Sequence, residues 1–240
     1  MVSVLTIAGS DPSGCAGIEA DLEMIARAGV AARTAITALT VQGVTSGQAV
    51  YATPRDVLRD ILKQHSQNLP SVVKIGMIAT RDNLEVICDF LERYPKLPVV
   101  LDPVLRATSG LQLLEMSAIP LLKERLLPRA TIVTPNLDEV EMLLGKRPAT
   151  VSEMETAARE LQRGTQVMMV KGGHLQGDPV DVIWDGTQMN HLSSPRIGTT
   201  SPRGTGCRLA SGIAAQMALG KSAIQACAEG KQMLLQWIRY

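Results

Sequence analysis

Aromatic side chains are nearly missing from this chain, which has one Phe, two Trp and three Tyr among 240 residues. Single-stranded nucleic acids are bound by stacking bases on such rings, so that function class loses its platforms. The core must then be built from Ala, Val, Leu, Ile and Met. Charge of one sign is missing too: 24 Lys and Arg stand against 23 Asp and Glu, a formal net charge of +1. No basic field is available to hold a polyanion or an anionic membrane surface. No apolar run approaches the ~18 residues of a membrane span, and the opening "MVSVLTIAGS" has neither a basic flank nor a long apolar stretch. Cys15, Cys88, Cys207 and Cys227 include no C-x-x-C pair, as expected of a reduced cytoplasmic protein. His65, His174 and His191 are scattered and form no metal-ligand set; only His174, beside two glycines, is expected near a site. What remains is a protein of small molecules.

Short β-rich runs recur at 3–9, 33–42, 72–77, 98–104, 131–135 and 166–173, with helical patterns between them. That alternation predicts an α/β fold whose central, mostly parallel sheet is covered by helices on both faces. Ile18, Leu22 and Ile25 recur at helical spacing, and Ser152 followed by Glu155 has the capping-box pattern. After residue 173 the rhythm changes, and "DVIWDG" followed by "TQMNHLSSPRI" reads as a small antiparallel edge hairpin turning at Asp185-Gly186. No repeat or low-complexity linker divides the chain, so residues 1–240 are expected to form one domain.

Ligands of a parallel α/β sheet sit beyond the carboxyl ends of its strands, so the polar residues there are the ones to inspect. The first strand runs into "GSDPSGCAGIEADL", whose glycines allow close backbone approach and whose helix carries Asp21. "LDPV" leaves Asp102 at a strand end, either to ligate Mg²⁺ or to cap a turn. "TPNLDEVEMLLG" gathers Asn136, Asp138, Glu139 and Glu141 at a helix start, where acidic residues also suit the helix dipole. "VKGGH" sets Lys171 at a strand end, placed to meet phosphate or simply solvated. The strongest local signal is "PRGTGCRLASGIAA": Gly204, Thr205, Gly206 and Cys207 open an apolar helix whose first backbone N–H groups form an anion site. A cysteine there is expected to have a lowered pKa, whereas Cys88 and Cys227 fall in apolar helical patterns and belong to the core.

Two other motifs fail. "AQMALGKS" lacks the first glycine of a phosphate-binding P-loop and ends a helix instead of following a strand. "GSDPSGCAG" offers no G-x-G-x-x-G after the first strand, which disfavours a nicotinamide enzyme.

Taken in order, "TIAGSDPSGCAGIEADL", "ITALTVQ", "KIGMI", "LDPV", "ATSG", "TPNLDEVEMLLG", "VKGGH" and "GTGC" resemble the hydroxymethylpyrimidine/phosphomethylpyrimidine kinase family of thiamin biosynthesis, within the ribokinase-like superfamily. The resemblance covers essentially residues 3–219 and implies ATP- and Mg²⁺-dependent phosphorylation of an aminopyrimidine, then of its monophosphate, by a homodimer. It places Ala16, Asp21, Gln42, Met77 and Val104 around the pyrimidine, with Asp21 and Gln42 bonding the ring edge. Asp102 and Glu139 go to the metal, and Asn136 and Lys171 to the ATP side, where Arg203 and Arg208 of this sequence are also expected. Gly204 to Cys207 become the catalytic anion hole, with Cys207 as base.

The chain departs from the family pattern at several of these places. Arg203 and Arg208 stand for His and Thr of T-H-G-T-G-C-T, Arg106 for a small or apolar residue, and Cys15 for a glycine; the G-H-G-P-x-H tail is missing. Arginines beside an anion hole either grip a substrate phosphate or fill the site and impair turnover. Two other readings therefore stand beside the first: a pyridoxal kinase, and a ligand-binding homologue that has lost efficient catalysis.

Overall fold

The computed structural model describes the whole chain except residues 43–46, 108–109, 163, 165–166, 174, 198–202 and 240, and the side chains of residues 42 and 48. Its sheet has nine strands in the order β3-β2-β1-β4-β5-β6-β7-β8-β9. The parallel centre comprises β1 (Ser3–Ser10), β2 (Ala31–Gln42), β4 (Val72–Ile75), β5 (Val99–Leu101), β6 (Ile132–Val133) and β7 (Val167–Val170). The hairpin β8 (Val180–Trp184) and β9 (Met189–Ser193) closes one side antiparallel, as its turn residues predict. At that turn the Asp185 carboxylate accepts hydrogen bonds from the backbone of Thr187 and Gln188. The other edge, β3 (Gly47–Ala52), pairs antiparallel with β2 and is an addition to the expected set.

Alternate residues of each strand serve opposite layers, which is why these runs are apolar throughout. Val72, Val100, Ile132 and Val167 pack beneath α1 (Gly17–Arg27), α7 (Thr205–Ala218) and α8 (Ala223–Ile238). Val73, Val99, Val133 and Met168 face the other layer. That layer holds α2 (Arg55–His65), α3 (Arg81–Arg93), the short α4 (Ile119–Leu121) with the π-turn after it, α5 (Leu137–Leu144) and α6 (Val151–Leu161). Cys88 and Cys227 are buried in these layers, and burial pushes both thiols up to about 12.

Two local expectations shift. The N-cap of α6 is Thr150, which accepts from the Glu153 backbone N–H, and not Ser152. Leu22 is exposed, and Met24 takes the buried position beside Ile18 and Ile25 on α1. Among the described residues no helix is long and apolar enough to cross a membrane.

Candidate active site

From β1 the chain crosses to β2 on one side and later returns to β4 on the other, which makes the β1/β4 boundary a topological switch point. The crevice beyond the carboxyl ends of two such strands is where α/β sheets bind ligands. A cleft of about 260 Å³ opens there. Its walls contain Gly9 to Asp11 from the end of β1, Met77 beyond β4, Asp102 and Val104 beyond β5, Asn136 and Glu139 at α5, Lys171 beyond β7, and residues 203–207 at α7.

The cleft has two chemically distinct ends. At one, Met77, Val104, Ala107 and Leu113 form an apolar surface of their own, backed by Ala38 and Ala79, and Ala16 lies on the same cleft wall as Gly17. At the other, the Lys171 ammonium donates to Asp102 Oδ1 at 2.6 Å. Burial pulls the Lys171 pKa down, but the Asp102 and Glu139 carboxylates more than offset it and hold it above the ordinary value. Asn136 and Glu139 form a capping box at α5: the Glu139 backbone N–H donates to Asn136 Oδ1 at 2.9 Å, and the Asn136 N–H donates to Glu139 Oε2 at 2.7 Å. Glu139 is thereby fixed in a buried position, and burial raises its pKa to about 8, with Lys171 opposing and Asp102 adding to the rise.

The start of α7 lies between the two ends. Gly204 has φ +76°, and a Cβ there would collide with the Cys15 carbonyl oxygen. A Cβ on Gly206 would stand 3.1 Å from Lys171 Nζ and 3.6 Å from Asp102 Oδ2. Glycine at 206 therefore lets the helix N-terminus approach the ion pair. Thr205, Gly206 and Cys207 line the cleft as the sequence predicts. The pKa of Cys207 does not follow the prediction. Burial raises the thiol to about 11; Lys74 opposes this, while Asp102 and Asp21 add to it, so desolvation outweighs the helix N-terminus and the group is a thiol at neutral pH.

Two expected site residues, Asp21 and Arg208, are placed differently. Asp21 is fully buried, accepting from Lys74 at 2.7 and 2.8 Å, Thr6 Oγ1 at 2.5 Å and Ser211 Oγ at 2.6 Å. It is absent from the cleft wall, where its partner Lys74 appears instead. Arg208 also leaves the site. Its guanidinium donates to Glu23 at 2.9 Å and to the Cys15 carbonyl at 2.6 Å and stacks 4.0 Å from the centre of the Trp237 ring. Being buried and saturated by acceptors, it is a clamp between loop and helices, not an ATP ligand. Gln42 ends β2, and its side chain lies outside the described residues, as does all of His174. Arg203 does line the cleft, 3.5 Å from Asp11. Sequence reasoning missed Lys74, Thr40 and Asp11 on the wall; the one visible hint was that Lys74 is a charge inside an otherwise apolar strand.

A mostly parallel sheet with antiparallel edges, helices on both faces and a crevice at the switch point is a fold of the ribokinase-like class. The family profile of phosphomethylpyrimidine kinase matches residues 11–240, and this chain belongs to that family. It is 40% identical to a hydroxymethylpyrimidine/phosphomethylpyrimidine kinase of Rhizobium meliloti over 96% of this chain and 88% of the relative. A solved phosphomethylpyrimidine kinase of Clostridium difficile superposes with a TM-score of 0.87 at 32% identity, covering 99% of this chain and 100% of the other. A pyridoxal kinase of Bacillus subtilis solved with ADP gives 0.89 at 32% identity, covering 97% and 90%. The chain spans about half the length of several bifunctional thiamine-biosynthesis relatives that it also matches, at 45%, 49% and 43%.

Proposed function

We propose that this chain transfers the γ-phosphoryl group of ATP to the hydroxymethyl oxygen of 4-amino-5-hydroxymethyl-2-methylpyrimidine, and then to the phosphate of the product. One observation carries the reading: a single cleft joins an apolar end to a Lys171–Asp102–Glu139 end, with the α7 N-terminus between them. Phosphoryl transfer asks a protein mainly to position two substrates and to stabilise charge. The backbone N–H groups of Thr205 to Cys207 and the Lys171 ammonium are aimed at that charge. Met77 and Val104 hold the ring by apolar contact.

Mg²⁺ fits the donor set. The ion takes one or two carboxylates and completes its shell with water and substrate phosphate, so Asp102 and Glu139, hard oxygen donors on one wall, would hold it. No group of three or more His, Cys, Asp or Glu suited to a metal occurs among the described residues, and none is needed for this mode. When bound, the ion would neutralise phosphate charge.

The pyrimidine is favoured over pyridoxal by Met77 on the wall and by Gln42 at the end of β2. A catalytically impaired homologue loses one of its supports, since Arg208 is folded away from the cleft and cannot obstruct it. The four cysteines, all unpaired, support a reducing cytoplasmic setting, and the exposed apolar face of the β2–β3 pair at Leu39, Val41 and Tyr51 supports a homodimer. The decisive assay measures ADP release from MgATP with the pyrimidine, its monophosphate and pyridoxal in parallel. Release driven by both pyrimidines is expected, with loss in Asp102→Ala. Turnover of pyridoxal alone, or of none of the three, would overturn the proposal.

A further inference from the structure

We infer that Asp181 and Lys231, a buried ion pair outside the cleft, are positioning residues for its phosphate end: they fix the chain around Lys171 and brace it against α7 through α8. The inference rests on the kinase reading above.

Lys171 enters the cleft just past the end of β7, where regular pairing with β8 has ended at Val170 and Val182. Its own backbone N–H donates to the Pro135 carbonyl at 2.8 Å. The next N–H, that of buried Gly172, donates at 3.0 Å to Asp181 Oδ1. A carboxylate from β8 thus holds the chain directly after the lysine. Gly172 has no room for a side chain, since a Cβ there would collide with the Val180 carbonyl oxygen. The segment is pressed against β8, and Asp181 sets its position.

Asp181 is 2% exposed, and its second oxygen accepts from Lys231 Nζ at 2.7 Å. Lys231 belongs to α8, no described residue of which lines the cleft. The residue before it, Gly230, lies against α7: a Cβ there would stand 2.6 Å from Ile213 Cγ1 and 2.8 Å from the Ile213 backbone nitrogen. One turn of α8 therefore touches both parts of the phosphate end. Through Gly230 it is seated on the helix that begins at Thr205, and through Lys231 and Asp181 it reaches the segment that carries Lys171. Those two parts meet in the cleft at Gly206, opposite the Lys171 ammonium.

A buried ion pair is a poor device for stability alone, because apolar residues of similar volume in its place are commonly neutral or better. This pair does what an apolar pair does not: it supplies an acceptor to a buried peptide N–H. A misplacement of about 1 Å in a group that positions substrate costs as much as about 10²-fold in rate. Holding the peptide after Lys171 is a catalytic requirement as much as a structural one.

The test compares double variants that remove both charges. Asp181→Asn with Lys231→Met keeps an oxygen for the Gly172 N–H, whereas Asp181→Leu with Lys231→Met does not. Asp181→Ala with Lys231→Met repeats the second case with less bulk, should the leucine disturb folding. Urea denaturation checks that each is folded. Without the acceptor, KM for ATP is expected to rise about tenfold, the effect of one hydrogen bond. KM for the pyrimidine is expected to stay unchanged, and the asparagine variant to rescue most of the loss. A role in stability alone would move the denaturation midpoint and leave the two KM values in their wild-type ratio. Equal rises for both substrates, no rise, or an asparagine variant as impaired as the others would overturn the inference. Calorimetric titration with the magnesium complex of β,γ-methylene-ATP, without pyrimidine, separates this inference from the identity of the acceptor substrate. Binding that is weaker in the leucine or alanine variant and restored in the asparagine one supports the positioning role, and equal binding by all sinks it. A wild-type protein that binds no nucleotide would overturn the kinase reading and this inference together.

Discussion

The proposed mechanism asks Cys207 to accept a proton, yet burial holds its thiol near 11. A group whose pKa lies above the working pH accepts a proton only in its minor, ionised fraction, which grows about tenfold per pH unit below the pKa. If the thiolate takes the hydroxyl proton, kcat should climb with pH across the neutral and alkaline range and level off toward 11. Cys207→Ala is expected to flatten that slope and lower kcat by a factor on the order of 10²–10⁴. A wild-type profile already flat between pH 7 and 9 would remove Cys207 as base and leave it a hydrogen-bond donor. The Lys74–Asp21 pair makes a different prediction, one about stability. Both side chains are fully buried, so removing one leaves an uncompensated charge and costs about 3–5 kcal/mol. Chemical denaturation should show Lys74→Met much less stable than wild type. The double variant Lys74→Met, Asp21→Leu should recover part of the loss, and no recovery would argue against a charge penalty.

At the scale of elements, the entrance of α7 separates two kinds of glycine. Gly204 is left-handed and its missing side chain makes room for the Cys15 carbonyl, so Gly204→Ala is expected to destabilise the fold. Gly206 meets only the far end of the Lys171 side chain at 3.1 Å and the Asp102 carboxylate beyond it. Gly206→Ala should fold with nearly unchanged thermal midpoint while losing activity, because the displaced ammonium no longer meets phosphate. Equal damage to both properties in the two variants would erase the distinction. This entrance was legible in the sequence because glycine spacing and an apolar helical run are local signals. So were the alternating strands and helices, and the hairpin at Asp185. What stayed hidden depends on distant partners. Arg208 reads as a site arginine until its acceptors are known, and Glu23 and Cys15 lie 185 and 193 residues away. Asp21 looks like a ligand for a ring until Lys74, 53 residues on, closes over it. At α6 two overlapping Ser/Thr-x-x-Glu patterns compete. Thr150 wins because Glu153 also accepts from the Ala149 N–H and from Lys146, partners that Glu155 lacks at that end.

For the whole molecule the open question is how β2 is covered. Leu39 and Val41 are 57% and 43% exposed, and Tyr51, directly across the strand pair from Leu39, is 64% exposed. Side chains two apart on a strand share a face, so these residues form one apolar patch with Ala49, the partner of Val41. The intervening residues serve the site: Ala38 backs the ring surface and Thr40 lines the cleft. One strand thus carries the cleft on one face and an unburied apolar strip on the other, in the segment that ends at Gln42. Isologous pairing with a second copy would bury the strip and stiffen the wall that holds the ring. Sedimentation should then report a dimer, and Leu39→Lys with Tyr51→Glu should produce a folded monomer. Because the same strand presents Thr40, that monomer is expected to show a raised KM for the pyrimidine with KM for ATP much less affected. A wild-type monomer at micromolar concentration, or a monomeric variant whose KM for the pyrimidine is unaltered, would uncouple the edge from the site.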